Sequence, residues 1–150
     1  EAGAVHGRLP VTWDRAGDVA LKEFRCVGAD QTLAQAVEVA MSCSQRDYPV
    51  LNRDGYLVGL LTEPDLMAGV ARLGPHAAVW EVMRRHIPVG DPDELLASAA
   101  ARLHASGAEA MPLLRGGRLV GLLTLDHVAR FRMYKWRPSG IGGRGPGLMG

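Results

Sequence analysis

The run Leu57-Val58-Gly59-Leu60-Leu61 is apolar throughout and does not alternate, so it suits a strand buried on both faces. It ends at Thr62, a good N-cap, and a helix from about Glu63 to Ala71 is expected to follow, closed by Gly74-Pro75. The run Leu119-Val120-Gly121-Leu122-Leu123 ends in the same way at Thr124. A glycine inside a strand weakens it unless another backbone or a ligand must come close, so Gly59 and Gly121 predict close approaches. Leu33, Ala36, Val37, Ala40 and Met41 recur at helical spacing and predict a helix ending near Ser42 to Ser44. Leu96, Ala99, Ala100 and Leu103 predict its counterpart, with Gly107 placed to end it. Short strands are expected over Phe24–Val27 and Tyr48–Leu51, the second starting late or lying at an edge because Pro49 lacks a donor. Asn52-Arg53-Asp54-Gly55 is a hairpin turn. Asp18 to Glu23 reads as a helical turn with Val19 and Leu21. Ala77 to Arg85 reads as helical, with Val79, Val82 and Met83 on one side.

These elements repeat. Val82 lies 63 residues after Val19, as do Asp93 after Asp30, Leu96 after Leu33 and Pro112 after Pro49. Past the hairpin the offset is 62, from Gly59 to Gly121, because Arg115-Gly116-Gly117 is one residue shorter than Asn52 to Gly55. Each unit reads β-α-β-β-α. A unit of about 50 residues buries too little surface to be comfortable alone, so two packed through their sheets are expected to share a core in an α+β fold. The expected divisions are a lead-in at 1–17, a first unit at 18–73, a connector helix and second unit at 74–130, and a tail at 131–150. Leu9, Val11 and Trp13 could lay a short strand of the lead-in on the core. The tail alternates basic with apolar or aromatic residues over Arg130–Arg137, a pattern that suits an extended segment as readily as a helix. The glycine- and proline-rich stretch from Pro138 to Gly150 is expected to be disordered.

Asp30-Gln31-Thr32-Leu33, Tyr48-Pro49-Val50 and Gly59-Leu60-Leu61-Thr62 with Asp65-Leu66 carry a resemblance to a known family. So do Pro92-Asp93, Met111-Pro112-Leu113 and Gly121-Leu122-Leu123-Thr124 with Val128. Over about residues 18 to 130 the chain resembles a tandem pair of CBS domains, the Bateman module. The resemblance implies a non-catalytic module that binds an adenosine nucleotide (AMP, ADP or ATP) between its halves and regulates an attached enzyme or transporter. It also implies pairing of two modules through their helices, so a homodimer is expected. The helices starting at Leu33, Leu96 and Leu125 carry more apolar residues than one sheet face needs, which fits that pairing. Ser42 through Val50 further resembles the CBS pairs attached to bacterial site-2-type membrane zinc metalloproteases, where the pair lies on the cytoplasmic side. The peptidase motif His-Glu-x-x-His does not occur in this sequence.

Carried onto this chain, the resemblance puts a nucleotide site at Thr62 and Asp65, with Tyr48, Pro49 and Val27. The carboxylate would accept both ribose hydroxyls, while the Thr hydroxyl and the helix N-terminus would face phosphate. The residues alone, without the repeat, read first as a capping box, Thr-x-x-Asp, and both readings can hold together. A weaker second site falls at Thr124, His127, Met111 and Pro112. His127 stands where the pattern has Asp, and a histidine cannot accept from two hydroxyls as a carboxylate does. Asp126 points about 100° away around the helix and suits the helix dipole instead.

Composition narrows the rest. At 150 residues, 47% hydrophobic and 22% charged, the chain can build a packed core. A net charge of +1 calls for no nucleic acid or acidic membrane. Cys26 and Cys43 make no disulfide framework, and with His6, His76, His86, His104 and His127 they show no metal-ligand spacing. No Walker loop, dinucleotide fingerprint or nucleophile motif occurs. Opening on Glu1 rather than Met, the chain reads as a piece of a longer protein. A rival to ligand binding is a dimerising interaction module that holds no ligand. A third reading, nucleic-acid binding, rests only on the basic tail.

Overall fold

The computed structural model describes residues 13–136. The expectations for Leu9, Val11, His6, Arg137 and the stretch from Pro138 lie outside them. The elements run α1 (Ala16–Val19), β1 (Val27–Gly28), α2 (Leu33–Met41), β2 (Asp47–Leu51), β3 (Leu57–Thr62) and α3 (Glu63–Leu73). A 3-10 turn at Val79–Glu81 follows, then α4 (Leu96–Ser106), β4 (Ala110–Arg115), β5 (Arg118–Thr124) and α5 (Leu125–Trp136).

In the first unit β2 lies between β1, which it pairs in parallel, and β3, which it pairs antiparallel. Pro49 is therefore in the middle strand, but β1 begins opposite Val50, so the sheet is still open at the proline. The second unit pairs β4 with β5, and its counterpart of β1 shrinks to one parallel bridge, Gly90 to Leu113. That bridge lies 63 residues on from Val27 and Val50. Both hairpins shift register at the same place, after Val50 and after Leu113. The shorter second turn uses Gly116 and Gly117, both at positive φ, which suits a two-residue hairpin.

The non-alternating runs are explained by two-sided burial. Leu61 packs into the first unit's core with Leu33, Val50 and Leu66, and Leu123 packs into the second with Leu96, Leu103 and Val128. Leu60 and Leu122, one residue earlier, face the other way and meet with Ala110 in a third cluster, edged by Leu21, Phe24 and Ile87. That cluster joins the sheets of the two units.

Each unit's core is completed by the segment that precedes the other unit. Ala16, Val19 and Ala20 are buried with the second unit's helices, while Val79 and Met83 are buried in the first. The backbone bonds correspond at the repeat offset. Ala16 N–H donates to Glu94 at 2.9 Å and Leu96 N–H to Asp14 at 2.7 Å. Val79 N–H donates to Gln31, and Leu33 N–H to Ala77, both at 2.8 Å. Arg84 and Leu21 each add an antiparallel bridge, to Leu60 and Leu122 respectively. These are the close approaches that Gly59 and Gly121 serve. A Cβ on Gly59 would stand 2.7 Å from the Arg84 carbonyl oxygen, and one on Gly121 3.3 Å from Ala20 Cβ.

Several local expectations are corrected. Residues 77–85 hold one 3-10 turn, Val79–Glu81, rather than a helix: Glu81, Val82 and Met83 donate within the segment, but Val79, Trp80 and Arg84 give their N–H groups to Gln31, Ala29 and Leu60. The strand expected from Phe24 starts only at Val27, since the Gln45 side chain takes both the N–H and the carbonyl of Arg25. Met41 is 83% exposed and Trp13 80% exposed, so neither packs on the core. Residues 131–136 continue α5 rather than opening a tail. Lys135 sits over the Phe131 ring, 5.6 Å from its centre.

Candidate functional site

Two clefts open where the units meet. The first, about 620 Å³, is lined by Arg46, Asp47, Leu60, Thr62 and Pro64 of the first unit, by Arg84 and His86 to Pro88, and by Ser106 to Glu109 of the second. The second, about 580 Å³, is its counterpart, lined by Leu122, Thr124, Asp126, His127 and Arg130, by Leu21, and by Ser44 to Asp47 with Glu109. Both volumes fall in the range of small-molecule sites, roughly 300–1,000 Å³. Arg46, Asp47 and Glu109 face both clefts.

The helix starts on the clefts are built alike. Thr62 is the N-cap of α3, its Oγ1 accepting from Asp65 N–H at 3.2 Å. Thr124 Oγ1 accepts from His127 N–H at 3.0 Å. Each helix thus starts at its cleft, where the positive end of its dipole favours an anion, while Glu63 and Leu125 give their N–H groups to the carbonyls of Arg46 and Glu109. The reciprocal half of the capping box is not made. Asp65 Oδ2 instead accepts from Arg84 Nε at 2.7 Å, and that bond keeps Arg84 above its usual pKa. Asp65 does not itself line the first cleft; Arg84, bound to it, does.

The remaining expected site residues stand elsewhere. Val27, Tyr48, Pro49, Met111 and Pro112 are buried and line neither cleft. Tyr48 donates its hydroxyl to the Gln45 carbonyl at 2.5 Å and lies beside Cys43 Sγ, and burial first, then the Cys43 contact, raises its pKa. The side chains of these remaining residues are buried within the two units and border neither cleft. Thr62, Thr124 and His127 do line the clefts.

Sequence reading missed the residues that give the clefts their charge. Asp47 is half-buried, and desolvation first, with Glu109 adding repulsion, pushes its carboxyl above the usual range. Arg46 and Arg84 supply the opposing sign at the first cleft. A signal existed in Arg84-Arg85-His86, a basic run just past the apolar Val82-Met83, but nothing in one sequence ties it to Asp65. Gly107, in the left-handed region at φ 78°, ends α4 as expected and turns the chain into the cleft wall. Among the described residues no group of three or more His, Cys, Asp or Glu could hold a metal ion, and no helix is long and apolar enough to cross a membrane. His76, His86 and His104 are exposed.

The family model for the CBS domain matches residues 16–72 and again 79–134. The chain is 26% identical over 121 residues to inosine-5′-monophosphate dehydrogenase of Methanocaldococcus jannaschii, covering 80% of this chain and 24% of that enzyme. It therefore spans about a quarter of that relative's length. Among solved structures, it resembles a CBS domain pair in complex with 5′-methylthioadenosine and S-adenosyl-L-methionine, with a TM-score of 0.73 and 20% identity over 81% of this chain and 97% of that one. It also resembles CBSX2 in complex with AMP, with a TM-score of 0.72 and 22% identity over 83% and 99% of the two chains.

Proposed function

The chain belongs to the CBS-domain family as a tandem pair, a regulatory module rather than a catalyst, and on that premise we propose that it binds one adenosine nucleotide in its first cleft. The observation that carries this reading is the Thr62–Asp65 helix start beside a 620 Å³ cleft between the units. The Thr62 hydroxyl proton and the positive end of the α3 dipole favour phosphate there, although the first-turn N–H groups are already used, Glu63 by the Arg46 carbonyl and Asp65 by Thr62, and Pro64 has none. Asp65 offers two oxygens, four lone-pair sites, for the ribose diol. Two of the solved CBS proteins that this chain resembles hold adenosine compounds, which supports the ligand class. Thermal-shift measurement with AMP, ADP, ATP and S-adenosylmethionine tests it: a rise in melting temperature with at least one of them is expected, and no rise with any of them sinks the reading.

In the whole protein, the module's role on this reading is to report nucleotide level to an attached enzyme. The Ser42–Val50 segment supports a site-2-type membrane zinc metalloprotease as that enzyme, with this module on the cytoplasmic side. Co-purification of a peptidase domain encoded in the same chain would test this, and a parent chain carrying no peptidase would exclude it. Pairing into a homodimer is supported by exposed Met41, Met67 and Met133 on α2, α3 and α5. A monomer by sedimentation at tens of micromolar would count against pairing.

One observation favours the rival, an interaction module without ligand: Asp65 is already engaged by Arg84. The thermal-shift series separates the two readings.

A further inference from the structure

Arg84 and Asp65 change together between the two halves of the chain. At the repeat offsets their counterparts are Leu21 and His127. The backbones at these positions are equivalent. Arg84 exchanges both bonds with Leu60, at 2.8 and 2.9 Å, and Leu21 exchanges both with Leu122, at 2.9 and 3.0 Å. His127 N–H caps onto Thr124 as Asp65 N–H caps onto Thr62. Two residues on separate elements therefore keep their places while their side chains switch from an ion pair to an apolar residue and an imidazole. The ion pair is one unit, present in the first cleft and absent as a whole from the second.

Its geometry bears on what can enter. The Arg84 backbone is pinned on β3, and the missing Cβ of Gly59 lets it lie that close. Its side chain is 52% exposed and lines the cleft, so the guanidinium has room to turn while its base is fixed. Only Nε is given to Asp65, and a guanidinium has four further N–H donors. A ribose diol that takes both oxygens of the Asp65 carboxylate competes with Nε for Oδ2. A guanidinium released without an anionic partner would leave a strong charge-assisted bond unreplaced. Asp47 and Glu109 on the same walls add negative charge that an incoming anion must overcome.

Resting on the nucleotide reading, we propose that Arg84 is a latch. It closes the ribose acceptor while the cleft is empty and transfers to the ligand's phosphate when the ribose takes Asp65. The first cleft then selects adenosine that carries a phosphate over adenosine without one. An uncharged nucleoside opens the latch and gives Arg84 nothing in return, whereas a phosphate accepts from the planar fork in place of the carboxylate.

Titration calorimetry with AMP and adenosine, on the wild-type chain and on Arg84→Gln and Arg84→Lys, tests this. Wild type is expected to bind AMP at least about tenfold tighter than adenosine, the scale of one charge-assisted hydrogen bond. In Arg84→Gln the AMP affinity falls, the adenosine affinity holds or rises because Asp65 is uncovered, and the ratio approaches one. Arg84→Lys, which keeps the charge, retains a preference for AMP. Equal binding of the two ligands by wild type overturns the latch, and so does an unchanged ratio in Arg84→Gln; both leave nucleotide binding standing. A wild-type chain that binds neither ligand removes the nucleotide reading and the latch with it.

Discussion

Ala16 gives its backbone N–H to the carbonyl of Glu94 at 2.9 Å, joining the residues ahead of the first unit to the second. The matching bond runs from Val79 to Gln31 at 2.8 Å, so the residues ahead of the second unit are joined to the first. Neither unit completes its core from its own stretch of sequence. Cutting the chain between the repeats would deprive both halves.

Val19 makes this exchange testable. It is 5% exposed among Ala99, Leu103 and Val128, all of the second unit. Val19→Ala is expected to cost about 1.5–3 kcal/mol, the value of burying such a side chain with its cavity. Hydrogen exchange should then speed up in α4 and β4, not first in α2 and β2. Loss of protection confined to the first unit would refute the exchange.

Much of this was legible in the sequence. The repeat, both hairpins, the central runs and the caps at Thr62 and Gly107 followed from local patterns, because strand runs and helix ends are decided by neighbours in the chain. The destination of Val19 and Val79 was not legible. Their helical spacing says that one side is buried and leaves open against which unit. The cleft charges were hidden for the same reason: Arg84 lies 19 residues from Asp65, and only the bridge to Leu60 brings them together. Family resemblance pointed to Tyr48, Pro49 and Met111, but their apolar surroundings in β2 and β4 place them in the core.

The two strand glycines should differ in tolerance. Gly59→Ala would put a methyl group 2.7 Å from the carbonyl oxygen of Arg84, a residue whose backbone is held by two hydrogen bonds to Leu60. Overpacking of this kind costs about 1–3 kcal/mol. Gly121→Ala meets Ala20 Cβ at 3.3 Å and Leu113 Cδ1 at 3.5 Å, contacts that small shifts relieve. Urea midpoints are expected to fall clearly for the first and little for the second. Equal falls would show that the Arg84 strand can yield.

Asp47 links stability to pH. Burial and Glu109 raise its folded-state pKa above the unfolded value, so the native state favours the protonated form. The stability tied to that proton is complete below the unfolded pKa of about 3.9 and is lost as pH rises through the folded pKa. Asp47→Asn is therefore expected to melt higher than wild type at pH 7 and to lose that advantage near pH 4. An advantage that persists unchanged at pH 4 would assign it to something other than the charge.

The asymmetry between the clefts gives the sharpest prediction about binding. Asp65→Ala removes the ribose acceptor, and one hydrogen bond to a charged group is worth about 1.5–3 kcal/mol, so AMP binding should weaken roughly ten- to a hundredfold. His127→Ala should change it little, since an imidazole does not take both ribose hydroxyls. The reverse change is more telling. His127→Asp puts a carboxylate at the third position of α5, where the N–H already caps onto Thr124 and the helix dipole favours negative charge. Leu21 stands at the place of Arg84, so the new carboxylate has no counterpart of that ion pair, while Arg46 and Arg130 line the same cleft. Asp126 beside it is drawn off by Arg130, whose Nε lies 3.1 Å from its Oδ2. Calorimetry should therefore count one adenosine nucleotide per wild-type chain and two per His127→Asp chain. The added site should lack the preference of the first for phosphate, because it lacks Arg84. Two equal sites in the wild type, or one site in His127→Asp, would show that the carboxylate does not decide which cleft binds.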